Sequence, residues 1–465
     1  MAETKTRLGV SAHAIAVFLF TFGGNAVRNL VGIPAYFAIA GVIVVVSVVL
    51  FVRLRPADFR WYRLPAPLYW FLGVALVSIA WSQYTAWSAI GVAVQLATTA
   101  VAVVLAFVLS WHELLRTLAS AFRWLIGLSI LFELWVSVFV QHPVVPWWIE
   151  PGPDGKFSKL TWWSRDLLFS GGPIQGLLGS SVLFGFLALL ALIAFGIQLR
   201  AGLVRPVAGW FWVVLAFLCI VLTRSATVWV AFIAVAAALA FALWARRRGP
   251  EGRVPVYLTG LALALAGVLS VAFARDTVFG LFGKSSDLTG RIEIWQKVID
   301  HGSQHPWVGW GWVSYWPTWI EPFASLDTKV GLPVPSAHNA WLDVWFQLGL
   351  LGVLVFAPLV VLTLLRTWFR AVDQPRRGPG AALPYATSAL WPFLMMIALL
   401  VQSLTESRIL VENGWLLLVI LAVKSRVDFR LPSPDTEPAM LPWRRVPIPR
   451  ETPGATAVRP DRAPR

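Results

Sequence analysis

Apolar and polar positions in this chain fall into long blocks rather than short alternations. Twelve apolar blocks stand out, at about 10–28, 34–52, 66–82, 86–110, 119–140, 173–198, 207–223, 226–245, 254–273, 339–365, 385–404 and 409–423. Runs of roughly 17–25 apolar residues read as membrane-crossing helices, and only the last is short. The pattern predicts an all-α polytopic membrane protein of about twelve transmembrane helices. Most connections are short, but 141–172 and 274–338 are not. The expected organisation is helices 1–9 over 1–273, a large, partly helical loop over 274–338, helices 10–12 over 339–423, and a tail over 424–465.

Composition agrees. Of 465 residues, 58% are hydrophobic and 13% charged, where a soluble domain carries about 25% charged residues. Mean hydropathy is +0.71. A single soluble fold is excluded. One cysteine, Cys219, rules out a disulfide framework or a cysteine-based metal site within the chain.

The net charge of +15 raises the question of nucleic acid, and its placement answers it. With the N-terminus in the cytoplasm, 27 of the 38 basic residues fall on the inner side and 11 on the outer. Clusters Arg53/Arg55/Arg60/Arg63 and Arg246/Arg247/Arg248/Arg253 dominate that bias. The charge is mainly a topology signal with both termini cytoplasmic, and no nucleic-acid-reading motif accompanies it. The first span follows Lys5 and Arg7 without a small-residue cleavage site, so a retained anchor is expected. The Pro- and Arg-rich tail from 424 is expected to be disordered or to lie against anionic lipid heads.

Both long loops then lie outside. The first carries Trp147, Trp148, Trp162 and Trp163. Indoles favour the headgroup level, with a sugar or lipid-head platform as the alternative. The second contains an amphipathic segment, 289–301, with Ile292, Trp295, Val298 and Ile299 on one face. Such a helix can lie in the interface plane with Trp295 inward, and Gly302 is placed to end it. A Pro/Gly/Trp stretch, HPWVGWGWVSYW, follows at 305–316.

Four arginines stand inside or beside the outer half of the membrane, where a charge is costly: Arg28, Arg224, Arg291 and Arg408. A guanidinium offers a rigid donor fork that matches phosphate oxygens. Arg28 and Arg408 are expected to pair with carboxylates such as Glu406, Glu412 or Glu293. Arg224, in the tight turn LTRSAT, and Arg291, opening the amphipathic segment, are the candidates for holding a diphosphate. His338 stands where the long loop meets span ten, with Asn339 or Ser336 able to cap the next helix. That helix N-terminus favours an anion, and histidine as a residue type can take a proton from a hydroxyl. Asp343, about one and a half turns on, is expected to orient a neighbour or pair with an arginine.

Around His338 the order of motifs is Gly290-Arg291-x3-Trp295, Pro306-x2-Gly309-x-Gly311, then His338-Asn339-x9-Gly349-x2-Gly352. This set resembles the O-antigen ligase and polysaccharide polymerase superfamily over roughly 205–352, and span count and loop position extend the likeness to the whole chain. Gly349 and Gly352 share a helix face and are expected to allow close helix packing.

The resemblance implies a bacterial plasma-membrane glycosyltransferase. Arg224 and Arg291 would hold the pyrophosphate of an undecaprenyl-linked glycan donor, and His338 would activate a hydroxyl on a glycan or lipid acceptor. Asn339, Asp343, Trp295, Arg28 and Arg408 are possible supporting residues. No metal, cofactor or nucleotide sugar is implied, and the anomeric carbon is expected to invert. The competing reading is a twelve-helix secondary transporter, for which Glu133 is the best mid-span candidate. A metal-dependent transferase lacks its carboxylates at 29–33. A peptidoglycan polymerase would have to use Asp287 or Asp343.

Overall fold

The protein is described here by a computed structural model that covers residues 2–54, 59–152, 155–159, 161–273, 286–326, 328–329, 332–333, 335–374 and 383–430. Its helices are α1 (Ala2–Phe22), α2 (Gly24–Leu54), α3 (Ala66–Val77), α4 (Thr85–Val108), α5 (Trp111–Trp135), α6 (Ser181–Arg200), α7 (Pro206–Thr223), α8 (Ala226–Arg248), α9 (Val254–Phe273), α10 (Ser286–Gly302), the short α11 (Phe323–Leu326), α12 (Ala340–Val372), α13 (Trp391–Ser403) and α14 (Glu412–Arg430). Short 3₁₀ turns and one π turn, Val136–Val140, join them. A two-residue hairpin pairs β1 (Thr328–Lys329) with β2 (Leu332–Pro333). Eleven of the twelve apolar blocks fall on one helix each, and the first, 10–28, runs from α1 into α2, so the all-α polytopic architecture holds. Among the described residues, α2, α4, α5, α6, α7, α8 and α12 are long and apolar enough to cross a membrane, and the other apolar helices are shorter.

Burial sorts the helices into an interior and a rim. The central stretch of α6 is 72% buried, against 11% for α2. Trp415 to Val423 of α14 are all buried, whereas α2 and α9 expose Val42, Val45, Val49, Leu258, Leu261 and Leu265. An apolar side chain facing outward on such a helix fits a lipid surface. Phe71 of α3 ties the interior together, meeting Trp312, Phe356 and Trp415 at 5.1 to 5.7 Å between ring centres.

Two helices are broken, and the long loops occupy both breaks. Gly32 of α2 is left-handed (φ 79°) and Pro34, which has no N–H, follows, so the helical bond to the Leu30 carbonyl is lost. Trp148 Nε1 donates to the Arg28 carbonyl and Trp147 Nε1 to the Leu30 carbonyl, each at 3.0 Å. Trp147 therefore replaces the donor that Pro34 lacks, and Trp148 adds a second bond to the same arm, which is a more specific task than headgroup anchoring. The chain also turns at Gly23, so the first apolar block ends at Phe22, and Asn25 and Arg28 belong to the short arm of α2 before its break.

The second break is at Gly349 of α12 (φ 63°). The loop backbone inserts there. Trp310 and Gly311 N–H groups donate to the Phe346 and Gln347 carbonyls, while Leu350 and Leu351 donate to Pro306 and Trp307. A Cβ on Gly349 would meet the Trp307 backbone at 2.2 Å, and one on Gly309 would meet that of Gln347 at 2.4 Å. Gly349 thus admits the loop rather than a neighbouring helix, correcting the expected helix–helix packing. Gly352 lies against Leu348 and Val344 of its own helix.

Other expectations shift in detail. The amphipathic helix exists as α10, but its inward face is Arg291, Ile294 and Val298, with Ile299 exposed. It packs on protein, against Tyr84, Val313, Trp316 and Phe346, because these aromatic and apolar groups cover its buried face. The last helix runs to Arg430, past the expected start of the tail at 424; residues 431–465 lie outside the described residues, as do 274–285 and the side chain of Asp287. Two arginines of the 246–253 cluster have a structural task. Arg246 Nε donates to the Ala371 carbonyl (2.6 Å), and Arg253 Nη2 donates to that of Val372 (2.6 Å) while its Nη1 pairs with Asp373 (2.5 Å). They satisfy the last carbonyls of α12, where a cation also suits the helix dipole.

Candidate functional site

His338 occupies the last turn of chain before α12. Its backbone is left-handed (φ 49°), a costly conformation for a side chain with a Cβ. The residues on either side hold it there. The Ala337 carbonyl accepts from Trp295 Nε1 of α10 (3.0 Å), and the Ala337 N–H donates to Asp343 Oδ2 (3.4 Å). The His338 N–H donates to Ser336 Oγ (3.4 Å). Asn339 Oδ1 then accepts from the Trp341 and Leu342 N–H groups, capping α12, while its amide donates to the Leu404 carbonyl (3.2 Å). Asn339, not Ser336, is the cap.

Asp343 is buried and bonded to Trp316 Nε1 (2.9 Å) and Gln347 Nε2 (2.7 Å). Gln347 Oε1 accepts in turn from the Val313 and Ser314 N–H groups. Of the two expected roles for Asp343, orienting its neighbours is the one realised: it ties the loop at 313–316 to the residue before His338.

Two carboxylates, Glu406 buried and Glu412 partly so, organise the charges. Glu406, in the turn after α13, takes Arg291 Nη2 on Oε1 (2.7 Å) and faces His338 Nδ1 with Oε2 (3.0 Å). Burial alone would raise the Glu406 pKa, but His338 and Arg291 outweigh it and hold the carboxyl below its usual range. Glu412, at the start of α14, pairs with Arg28 Nη1 (3.2 Å) and Arg408 Nη1 (2.7 Å). Arg408 also donates to the Tyr315 hydroxyl (2.7 Å). Burial pushes Tyr315 up to about 12, so it stays protonated. Arg28 lies over the Tyr36 ring and bonds Asn25. The pairing expected for Arg28 and Arg408 is present, and the same pairing engages Arg291.

A polar cavity of about 70 Å³ lies behind His338, lined by Ser314, Tyr315, Ser336, Asp343, Glu406 and Arg408 among others. It has room for a few water molecules and not for a sugar ring. The His338 side chain keeps 30% of its surface exposed, so a larger group can approach from its open side. A smaller cavity, lined by Asn25, Gln402, Glu412 and Asn413, shares Arg408 with the first.

Arg224 stands apart from this cluster. It closes α7 in a left-handed conformation (φ 47°), is exposed, and makes no salt bridge among the described residues. A Cβ on Gly171 of the first long loop would lie 3.4 Å from its Nη2. That loop connects it indirectly to Arg28, because the Leu178 carbonyl accepts from Asn25 Nδ2 (3.1 Å). Six described non-glycine residues have positive φ; Arg224, Ser314, His338 and Glu412 are four of them, so strained backbone collects around the candidate residues.

Sequence reasoning named Glu406 and Glu412 only as pairing partners and passed over Tyr315 and Tyr36. The available signal was two carboxylates within seven residues at the edge of a span, a costly placement. Glu133, the mid-span residue that favoured transport, is the third residue from the end of α5. It accepts from Ser164 Oγ and from the N–H groups of Gln175 and Gly176 at 2.7 to 2.9 Å, stapling the first long loop.

Residues 211–357 match the family model described as O-Antigen ligase. The chain is also similar to the exopolysaccharide production protein ExoQ of Rhizobium meliloti (strain 1021), with 26% identity over 192 residues. That match covers 38% of this chain and 41% of the relative, so less than half of the relative's length is spanned. The likeness to the O-antigen ligase and polysaccharide polymerase superfamily is borne out by both. The matched segment contains Arg224, Arg291, His338 and the interlocked Pro306–Gly311 and Gly349 motifs; Glu406, Arg408 and Glu412 follow it.

Proposed function

We propose that the protein is a membrane glycosyltransferase that moves or polymerises glycan from a lipid diphosphate carrier, of the undecaprenyl type, onto an acceptor hydroxyl. The reaction takes place on the outer face of the bacterial plasma membrane, with both termini cytoplasmic. The observation that carries this reading is the His338 ring, partly open to the outside and joined through Glu406 to Arg291, within a segment that matches the O-Antigen ligase family.

The chemistry follows from the groups. The bond between sugar C1 and the diphosphate oxygen breaks as a bond from C1 to the acceptor oxygen forms on the opposite face, inverting the centre. His338 takes the hydroxyl proton through Nε2, the ring nitrogen not turned toward Glu406. Arg291 holds the diphosphate, whose charge grows as the bond breaks, with Arg224 approaching from the end of α7. Arg28 and Arg408 add positive potential beside it. Three arginines share two carboxylates, Glu406 and Glu412, so their guanidinium N–H groups are not all taken up and can turn to an anionic guest.

The test is deletion of the gene and a size profile of surface glycans and lipid-linked precursors, complemented with wild type or His338→Ala. Single repeat units accumulating on lipid identify a polymerase; long chains stranded on lipid identify a ligase. An unchanged profile rejects glycan transfer and returns the transporter reading.

A further inference from the structure

Glu406 lies outside the family-matched segment, 68 residues after His338 and 115 after Arg291, yet it contacts both. We infer that Glu406 is a positioning residue which holds His338 with one carboxylate oxygen and Arg291 with the other, coupling the base to the anion clamp. The inference rests on the glycan-transfer reading above.

The geometry gives each oxygen one partner. Oε2 faces Nδ1 at 3.0 Å, so Nδ1 carries the proton and Nε2 is left as the acceptor. Oε1 takes Arg291 Nη2 at 2.7 Å. Glu406 is almost fully buried, so neither partner can be replaced by bulk water without cost. The remaining charged or titratable groups around the His338 cavity are Tyr315, Asp343 and Arg408. Asp343 is committed to Trp316 and Gln347, and Arg408 to Tyr315 and Glu412. Glu406 is therefore the carboxylate in direct contact with the His338 ring among the described residues.

The coupling has a direction. In the empty site Arg291 draws on the same carboxylate that supports His338. A diphosphate binding to Arg291 competes for that guanidinium and brings negative charge toward the ring. The Glu406 carboxylate is then left to the His338 ring, which it holds with Nε2 free to take a proton. Proton removal then becomes easier only when the leaving group is in place.

The experiment uses the full chain reconstituted in vesicles, with the lipid-linked oligosaccharide fraction extracted from the deletion strain as donor. Transfer rates are measured against pH for wild type, Glu406→Gln and Glu406→Asp. His338 acts in its neutral form, so activity falls on the acid side as the ring protonates. Removing the carboxylate takes a negative charge away from Nδ1, which displaces the acid limb of the activity profile to lower pH. The plateau kcat should fall by no more than the roughly 10²–10⁴-fold that a positioned base contributes, while the donor KM does not rise. Glu406→Asp should show the same displacement to a smaller extent, and it carries the test if the Gln variant does not fold. An unmoved acid limb, or a raised KM with kcat retained, overturns the inference while leaving glycan transfer standing. Wild-type vesicles that transfer nothing from this donor sink both.

Discussion

Trp307 and Gly349 share a space with no room for one more carbon: a Cβ on Gly349 would sit 2.2 Å from the Trp307 carbonyl carbon. The loop that ends at His338 is thereby keyed into α12. Gly349→Ala adds both the clash and a side chain at φ 63°. It is expected to lower Tm strongly and remove transfer activity, while Gly260→Ala, whose Cβ would meet nothing closer than 4.0 Å, is silent. Thermal unfolding in detergent and transfer in vesicles check both; a stable, active Gly349→Ala protein would contradict the interlock.

His338→Ala removes the base and leaves Arg291 paired with Glu406. Turnover should drop about 10²–10⁴-fold with donor affinity largely kept. Single-turnover transfer beside a donor-binding assay separates the two quantities. Equal losses in both would remove His338 from the base role.

Arg291→Lys keeps one charge and loses the fork. A point ammonium can face Glu406 or a phosphate, but it cannot present two parallel N–H groups. Activity is expected to fall at least tenfold, mainly through donor KM. Full substitution by lysine would dispose of the bidentate clamp.

Asn339→Ala leaves two N–H groups at the start of α12 without their acceptor and frees the Leu404 carbonyl. Loss of such a cap costs about 0.5–2 kcal/mol. The variant should unfold at lower temperature and lower denaturant, with reduced kcat because the cap adjoins His338. Asn339→Ser, which retains an oxygen acceptor, should recover most of the stability.

The Glu406 carboxyl is held below its usual pKa, so its sign is that of a depressed acid. It stabilises the folded state above the unfolded carboxyl value, near 4.3, and that contribution is lost as pH falls through the lower folded value. Acid unfolding of wild type should therefore steepen below about pH 4.3. Glu406→Gln, less stable at neutral pH, should lose less over the same range. Parallel acid-unfolding curves for the two proteins would remove Glu406 from the linkage.

What could be read from the sequence was what is local. Apolar blocks gave the helices because each block is continuous. Arg291, Trp295, Gly309, Gly311, His338 and Gly349 were visible because motif order survives without knowing the fold. Their physical reasons were less visible. Gly349 and Gly352 at helical spacing suggested helix packing, whereas Gly349 interrupts the helix to admit a loop. Ile292, Trp295, Val298 and Ile299 suggested one face of α10; Val298 is indeed buried, but the loop aromatics select Ile294 beside it and leave Ile299 exposed. Glu406 and Glu412 stood out only as two carboxylates close together at the edge of a span, which marks them as pairing partners and not as what joins His338 to Arg291. Their roles come from bringing the turn before α14 against residues 68 to 384 positions away, which no window along the chain contains.

The same separation bears on any attempt to work with fragments or chimaeras. A piece cut to the family-matched stretch, 211–357, would include Arg291 and His338 but end before the carboxylate that answers them. Its guanidinium would be left seeking an anion in an apolar setting, and its imidazole would lose the group that orients it. Grafting this specificity onto another scaffold therefore requires transplanting the turn at 404–412 together with the loop. A ribosome that has finished His338 must still add 68 residues before the charges can balance.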